Sequence, residues 1–126
     1  MSTSEVLFVC ASGSLLDGGV GVRFPVEAFG KDATGFAVRY GGKVYAYLNR
    51  CAHVPVELDW FKGEFFESSK LHLMCSTHGA IYVPDTGVCA GGPCRGGKLR
   101  PIGVHEVDGE VYWQPDQFIR PPVAQQ

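Results

Sequence analysis

The chain has 126 residues, 45% of them hydrophobic, with a formal net charge of −2 and an isoelectric point near 6.0. That is the size of one domain with a modest core. Eleven basic residues face thirteen acidic ones without a basic run, which argues against a nucleic-acid partner. The apolar run Val6 to Ala11 is too short to span a bilayer, and no positive segment precedes it. Neither a membrane anchor nor a secretory signal is expected.

In chain order, Glu5 to Cys10 reads as a short strand, and Ala11 to Gly21 as a Gly- and Ser-rich loop. Val20 to Phe29 alternates like a strand, and Pro25 pushes it toward a sheet edge. A turn is expected at Asp32 to Gly35. Phe36 to Leu48 is the clearest hairpin. Phe36, Val38 and Tyr40 share one face, Gly41-Gly42 supplies the turn, and Val44, Ala46 and Leu48 alternate on the return. Val54 to Lys70 mixes Trp60, Phe61, Phe65 and Phe66 with Glu57, Asp59, Glu64 and Glu67. These aromatics are expected to close over the core rather than to form a docking face. Leu71 to Met74 and Gly79 to Val83 read as strands, Pro84 to Gly87 as a turn, and Cys89 to Gly97 as a Gly-rich loop. Leu99 to Trp113 is a second hairpin turned at Asp108-Gly109, and the tail from Gln114 is expected to fray. Many short strands joined by Gly turns predict an all-β domain over residues 1–126.

Chemistry concentrates between residues 51 and 78. Cys51-Ala52-His53 and Cys75-Ser76-Thr77-His78 each offer one thiol and one imidazole, ligands for iron or zinc. A common zinc finger segregates its cysteines from its histidines; here each segment carries both. That order suits a binuclear centre with chemically different ends, both thiolates on one metal and both imidazoles on the other. Residues two apart in an extended loop are separated by roughly 6.6 Å, which suits a two-metal cluster better than a single ion. Spacing alone leaves a zinc site open.

The pattern C-x-H, then C-x-x-H followed by Gly79, then a Gly92-Pro93 turn, resembles the Rieske [2Fe–2S] family from about Phe36 to Trp113. Two histidines replacing two cysteines on one iron defines such centres. The resemblance implies a β-sandwich-like base carrying a small cluster-binding subdomain of two ligand loops, here at about residues 49–97. It also implies one [2Fe–2S] cluster per chain, with Cys51 and Cys75 on a buried iron and His53 and His78 on an outer iron near the surface. The stretch from Val54 to Met74 is longer than in the most compact Rieske ferredoxins and reads as an insertion between the ligand loops.

Other positions gain meaning from the resemblance. Gly79 would let backbone N–H groups approach cluster sulfurs. Gly91-Gly92-Pro93 looks like the proline loop that covers the cluster. High-potential members tie their ligand loops with a disulfide, and those two positions hold Val56 and Thr77 here. Cys89 and Cys94 lie in the third loop and are expected as two reduced, partly buried thiols. A serine hydroxyl of high-potential centres is replaced by Ala80, whereas the tyrosine that bonds a ligand sulfur has its match in Tyr82. One donor fewer predicts a centre toward the low end of the Rieske range, roughly −150 to +300 mV. His72 reads as a hydrogen-bonded strand residue. Beyond the ligands only His72 and His105 remain, too few for the second, mononuclear iron site of an oxygenase subunit.

No nucleophile–base pair, phosphate loop or dinucleotide fingerprint is visible, so no enzymatic site of its own is expected. The expected role is a ferredoxin component in the cytoplasm, with reduced thiols, passing electrons from a flavin reductase to a terminal oxygenase. The alternatives are a fixed redox subunit of a larger enzyme, such as a nitrite-reductase-like complex, and a zinc-bound interaction module.

Overall fold

Alternating side chains and tight Gly turns divide the described residues into ten strands, β1 Leu7–Ala11, β2 Val22–Ala28, β3 Lys31–Tyr40, β4 Lys43–Leu48, β5 Leu73–Met74, β6 Ile81–Tyr82, β7 Cys89–Gly91, β8 Pro101–Val107, β9 Glu110–Gln114 and β10 Ile119–Arg120. The computed structural model describes residues 6–52, 56–59 and 61–122. Among these, the only helical element is a 3₁₀ turn at Ser12–Ser14. No helix among them is long and apolar enough to cross a membrane.

Seven strands form one antiparallel sheet in the order β1-β9-β8-β4-β3-β2-β10, and β5-β6-β7 form a second. The large sheet curls on itself. Phe24 of β2 stacks on Trp113 of β9 at 5.4 Å between ring centroids, although three strands separate them in the sheet.

The β3–β4 hairpin is a wall shared by two cores. Side chains alternate across a strand, so Ala37, Ala46 and Leu48 enter the core of the curled sheet, together with Phe24, Val26, Val111 and Trp113. Phe36, Val38 and Tyr47 point the other way. They join Leu58, Phe65, Leu73, Tyr82 and Leu99 beneath the small sheet, along with Cys51, Cys75 and Cys94. Four consecutive residues, Gly35 to Val38, are therefore buried.

Three expectations need correction. The turn placed at Asp32 to Gly35 lies instead at Phe29-Gly30, with φ of 53° and 81°, and β3 begins at Lys31. Phe disfavours the left-handed region, so Gly30 alone marks this turn in the sequence; the Phe29 ring stacks on Phe118 at 5.5 Å. The tail does not fray immediately after Gln114. Asp116 accepts N–H bonds from Phe118 and Ile119, pairs with Arg100 at 2.8 Å, and brings the buried Ile119 onto β2 as β10. The third loop begins as a strand, because Cys89 and Gly91 pair with Tyr82 and Ile81. Pro25 sits as expected at a ragged edge: β10 reaches only Glu27 and Ala28, leaving it no second neighbour.

Candidate metal centre

Three loops converge at one end of the small sheet. The first leaves β4 and turns back so that the Cys51 N–H donates to the Val56 carbonyl at 2.8 Å. The second joins β5 to β6 and is closed by Cys75 N–H to Ala80 O at 2.8 Å and Gly79 N–H to Cys75 O at 2.9 Å. The third follows β7 and is closed by Cys89 N–H to Gly97 O at 3.0 Å and Gly97 N–H to Cys94 O at 2.8 Å.

Cys51 and Cys75 are both buried and neither is in a disulfide, whereas His78 is exposed. His53 lies outside the described residues. Among the described residues alone, no three His, Cys, Asp or Glu side chains converge into a metal-binding group.

The surroundings of the two sulfurs test whether they suit a metal. The Tyr82 hydroxyl lies 3.2 Å from Cys51 Sγ and accepts the Ala52 N–H at 3.0 Å. Beside a thiolate, which has no proton to give, that hydroxyl is the donor of the pair. Burial, then the bond to Cys51, pushes the Tyr82 phenol well above its ordinary pKa, so it stays a donor. Cys75 Sγ accepts the backbone N–H groups of Thr77 and His78, which pull its pKa down; burial and the adjacent Cys51 push it up, and burial prevails. Donors gathered on adjacent buried sulfurs suit thiolates, yet two neighbouring thiolates repel and burial penalises both. A bound cation resolves that conflict, and the donor set fits a thiolate-ligated metal.

The third loop touches both others. A Cβ on Gly92, whose φ is +84°, would stand 3.0 Å from Ala80 Cα and from Gly79 O. A Cβ on Gly97 would stand 3.0 Å from the Ala52 side chain. Of the Gly91-Gly92-Pro93 segment, expected as a cover, Gly92 packs on the second loop. The expectation of two reduced thiols is overturned: Cys89 and Cys94 form a disulfide. The Gly-Gly-Pro turn folds the strand end back on itself and brings the two Cα atoms to 5.7 Å.

Sequence reading missed what anchors the first loop. Buried Asn49, two residues before Cys51, donates to Asp59 Oδ1 at 2.8 Å and accepts the Leu58 N–H at 2.8 Å. Asp59 Oδ2 accepts the Gly63 N–H at 2.8 Å and lies 3.6 Å from Arg23 Nε. Leu58 O in turn accepts the Ser76 N–H at 2.9 Å, so the insert bridges the two cysteine loops. Tyr47 fastens the small sheet to β4 through its hydroxyl, which donates to Pro84 O at 2.8 Å. The available signal was an acid in an aromatic-rich stretch with an Asn beside the ligand loop.

The aromatics of the insert divide. Phe65 is fully buried and stacks on Phe36 at 3.9 Å, Phe66 packs near Tyr40, and Phe61 is 66% exposed. Trp60 lies outside the described residues. His72 is a half-exposed residue whose Nδ1 lies 3.7 Å from Glu67 Oε2. His105 bonds the Gln114 side chain at 2.9 Å on the other sheet.

A family model for the Rieske [2Fe-2S] domain matches residues 5–108. The chain belongs to the Rieske [2Fe-2S] domain family. Among solved structures, this Rieske chain is similar to the ferredoxin of carbazole 1,9a-dioxygenase from Nocardioides aromaticivorans IC177. Identity is 27%, TM-score 0.71, and the match covers 90% of this chain and 100% of that one. It is also similar to a chain in a complex of reduced oxygenase and oxidized ferredoxin in carbazole 1,9a-dioxygenase, at 27% identity and TM-score 0.65, covering 86% and 92%. A quaternary ammonium Rieske monooxygenase shares the fold at 19% identity and TM-score 0.68, over 91% of this chain but 32% of that one. No curated protein matches the sequence. The nearly all-β architecture expected from the sequence agrees with these neighbours.

Proposed function

We propose that this protein is a one-electron carrier, holding one [2Fe–2S] cluster and passing electrons from a flavin reductase to a terminal oxygenase, without a substrate site of its own. The cluster would be held by Cys51 and Cys75 on one iron and by His53 and His78 on the other. Bound there, it would supply reversible one-electron chemistry.

One contrast carries the reading: a donor-rich pair of buried cysteines stands one turn from an exposed histidine. The buried end, floored by Phe36, Phe65, Leu58 and Leu73, keeps water from the sulfurs. Tyr82 and the N–H groups of Thr77 and His78 hold negative charge on them. His78 presents the other end to solvent, where a redox partner reaches it. The likeness to a dioxygenase ferredoxin supports an oxygenase as acceptor.

The test is composition and ligation together. Purified protein is expected to contain iron and sulfide in equal amounts, two of each per chain. The variant His78→Cys is expected to retain iron but to change the visible spectrum and potential. A stoichiometric zinc content, or an unchanged spectrum in His78→Cys, would refute the assignment.

A further inference from the structure

We infer that the loop tip around His78 docks on an acidic face of the redox partner, and that Arg95 and Lys98 supply the matching positive charge. This rests on the electron-carrier reading above and adds the chemistry of the partner surface.

The three loops carry no carboxylate. Residues 50–55, 75–82 and 89–99 contain no Asp or Glu, in a chain where acids outnumber bases. They contain three exposed bases, and none of these is ion-paired among the described residues. Elsewhere Arg23, Arg39 and Arg100 are each bound to carboxylates at 2.6–2.8 Å.

Arg95 and Lys98 are gathered at one place, whereas Arg50 lines a neighbouring cleft with Asp32 and Glu57. The third loop meets the first where Gly97 packs on Ala52. Arg95 is two residues before that contact and Lys98 one after it on the third loop. Arg95 and Gly96 form the corner of the turn closed by Gly97 N–H to Cys94 O, which the disulfide fixes from behind. On its other side the third loop packs through Gly92 on Gly79, the neighbour of His78. Around these charges the exposed residues are Ala52, Gly79, Gly92, Pro93 and Gly96, too short to hold a partner away.

The acids of the insert lie outside the three loops: Glu57 and Asp59 face Arg23, Glu67 faces Ser69 and His72, and exposed Glu64 shares a cleft with Lys70, Gly18 and Val20. The tip is therefore cationic on a molecule whose net charge is −2. Charges beyond about 10 Å are largely screened at 0.1 M salt, so a partner at the tip responds to local charge, not to the net charge.

That conflict of signs supplies the experiment. Dithionite-reduced holoprotein is mixed by stopped flow with hexacyanoferrate(III), an anion, or hexaammineruthenium(III), a cation. Each takes one electron from the protein and is reduced to its divalent-metal form. A cationic tip predicts that oxidation by the anion slows at least about threefold between roughly 0.02 and 0.2 M ionic strength, while oxidation by the cation speeds up. Poly-glutamate, an acidic polypeptide, is expected to inhibit the reaction, and poly-lysine is not.

The double variant Arg95→Gln/Lys98→Gln should lose most of the salt dependence and the poly-glutamate effect, with an unchanged visible spectrum. Lys43→Glu, at the far end of β4, makes the same change in net charge and should retain both. Oxidation by the anion that speeds up with salt, or equal behaviour of the two variants, would overturn the inference while leaving the carrier reading intact. A protein that dithionite does not reduce would overturn both.

Discussion

The hydroxyl of Tyr82 gives the sharpest quantitative prediction. Tyr82→Phe removes one donor, 3.2 Å from Cys51 Sγ, and little volume from a fully buried site. Reduction adds negative charge to the sulfurs, so a donor there stabilises the reduced state more than the oxidised one. A hydrogen bond to a charged group contributes about 1.5–3 kcal/mol. If about 1 kcal/mol of this is gained only on reduction, the midpoint potential falls by about 40 mV, since 59 mV accompanies each tenfold, or about 1.4 kcal/mol, in a one-electron couple. Protein-film voltammetry or an EPR-monitored titration measures it. Tyr47→Phe is the control, because its hydroxyl donates to Pro84 O and not to sulfur. It should lose about 1 kcal/mol of stability with little change in potential. An unchanged or raised potential in Tyr82→Phe would refute the donor role.

Further predictions concern the frame around the site. Asp59→Ala strands the Asn49 amide and the Gly63 N–H and should cost about 2–3 kcal/mol in denaturant unfolding, with loss of iron on dilution. Gly92→Ala, at φ +84° and 3.0 Å from Gly79 O, should cost about 1–3 kcal/mol and speed bleaching of the visible spectrum in air. Cys89→Ser/Cys94→Ser opens a short loop and should cost about 2 kcal/mol; alkylation mass spectrometry of the denatured wild type should find that pair blocked until reduced. Glu106 is held below its ordinary pKa of 4.5, first by its hydrogen bond to Arg39. A depressed carboxyl contributes stability that is present above the unfolded pKa and lost as pH falls through the folded one. Glu106→Gln should therefore lower the unfolding midpoint near neutral pH and narrow the gap to wild type below about pH 4. An equal gap at both pH values would count against that ion pair.

Much of this was legible because particular residues leave few options. Gly41-Gly42 and Asp108-Gly109 marked hairpin turns, and both are found between β3 and β4 and between β8 and β9. The spacing of Cys51, Cys75 and His78 pointed to the loops that converge, and Tyr82 was matched to the sulfur beside which its hydroxyl lies. What stayed hidden depends on contacts distant in sequence. Phe29 turns the chain although its own preference opposes it, and its ring finds Phe118 89 positions later. Ile119 becomes a strand only because Ala28 offers an edge. Asp59 is one of four acids in the insert, and only the fold singles it out, by surrounding it with Asn49, Gly63 and Arg23. The Cys89–Cys94 bond follows from how Gly91-Gly92-Pro93 folds back, which pairing statistics on five cysteines do not reveal.

The central claim is that Cys51, Cys75, His53 and His78 hold a [2Fe–2S] cluster with mixed sulfur and nitrogen ligation. The direct measurement is EPR of anaerobically purified, dithionite-reduced protein, recorded beside its iron and sulfide content. The account predicts a rhombic signal whose average g lies below that of all-cysteine [2Fe–2S] centres, with matched iron and sulfide. An EPR-silent protein carrying stoichiometric zinc would contradict it and make the same residues a structural metal site.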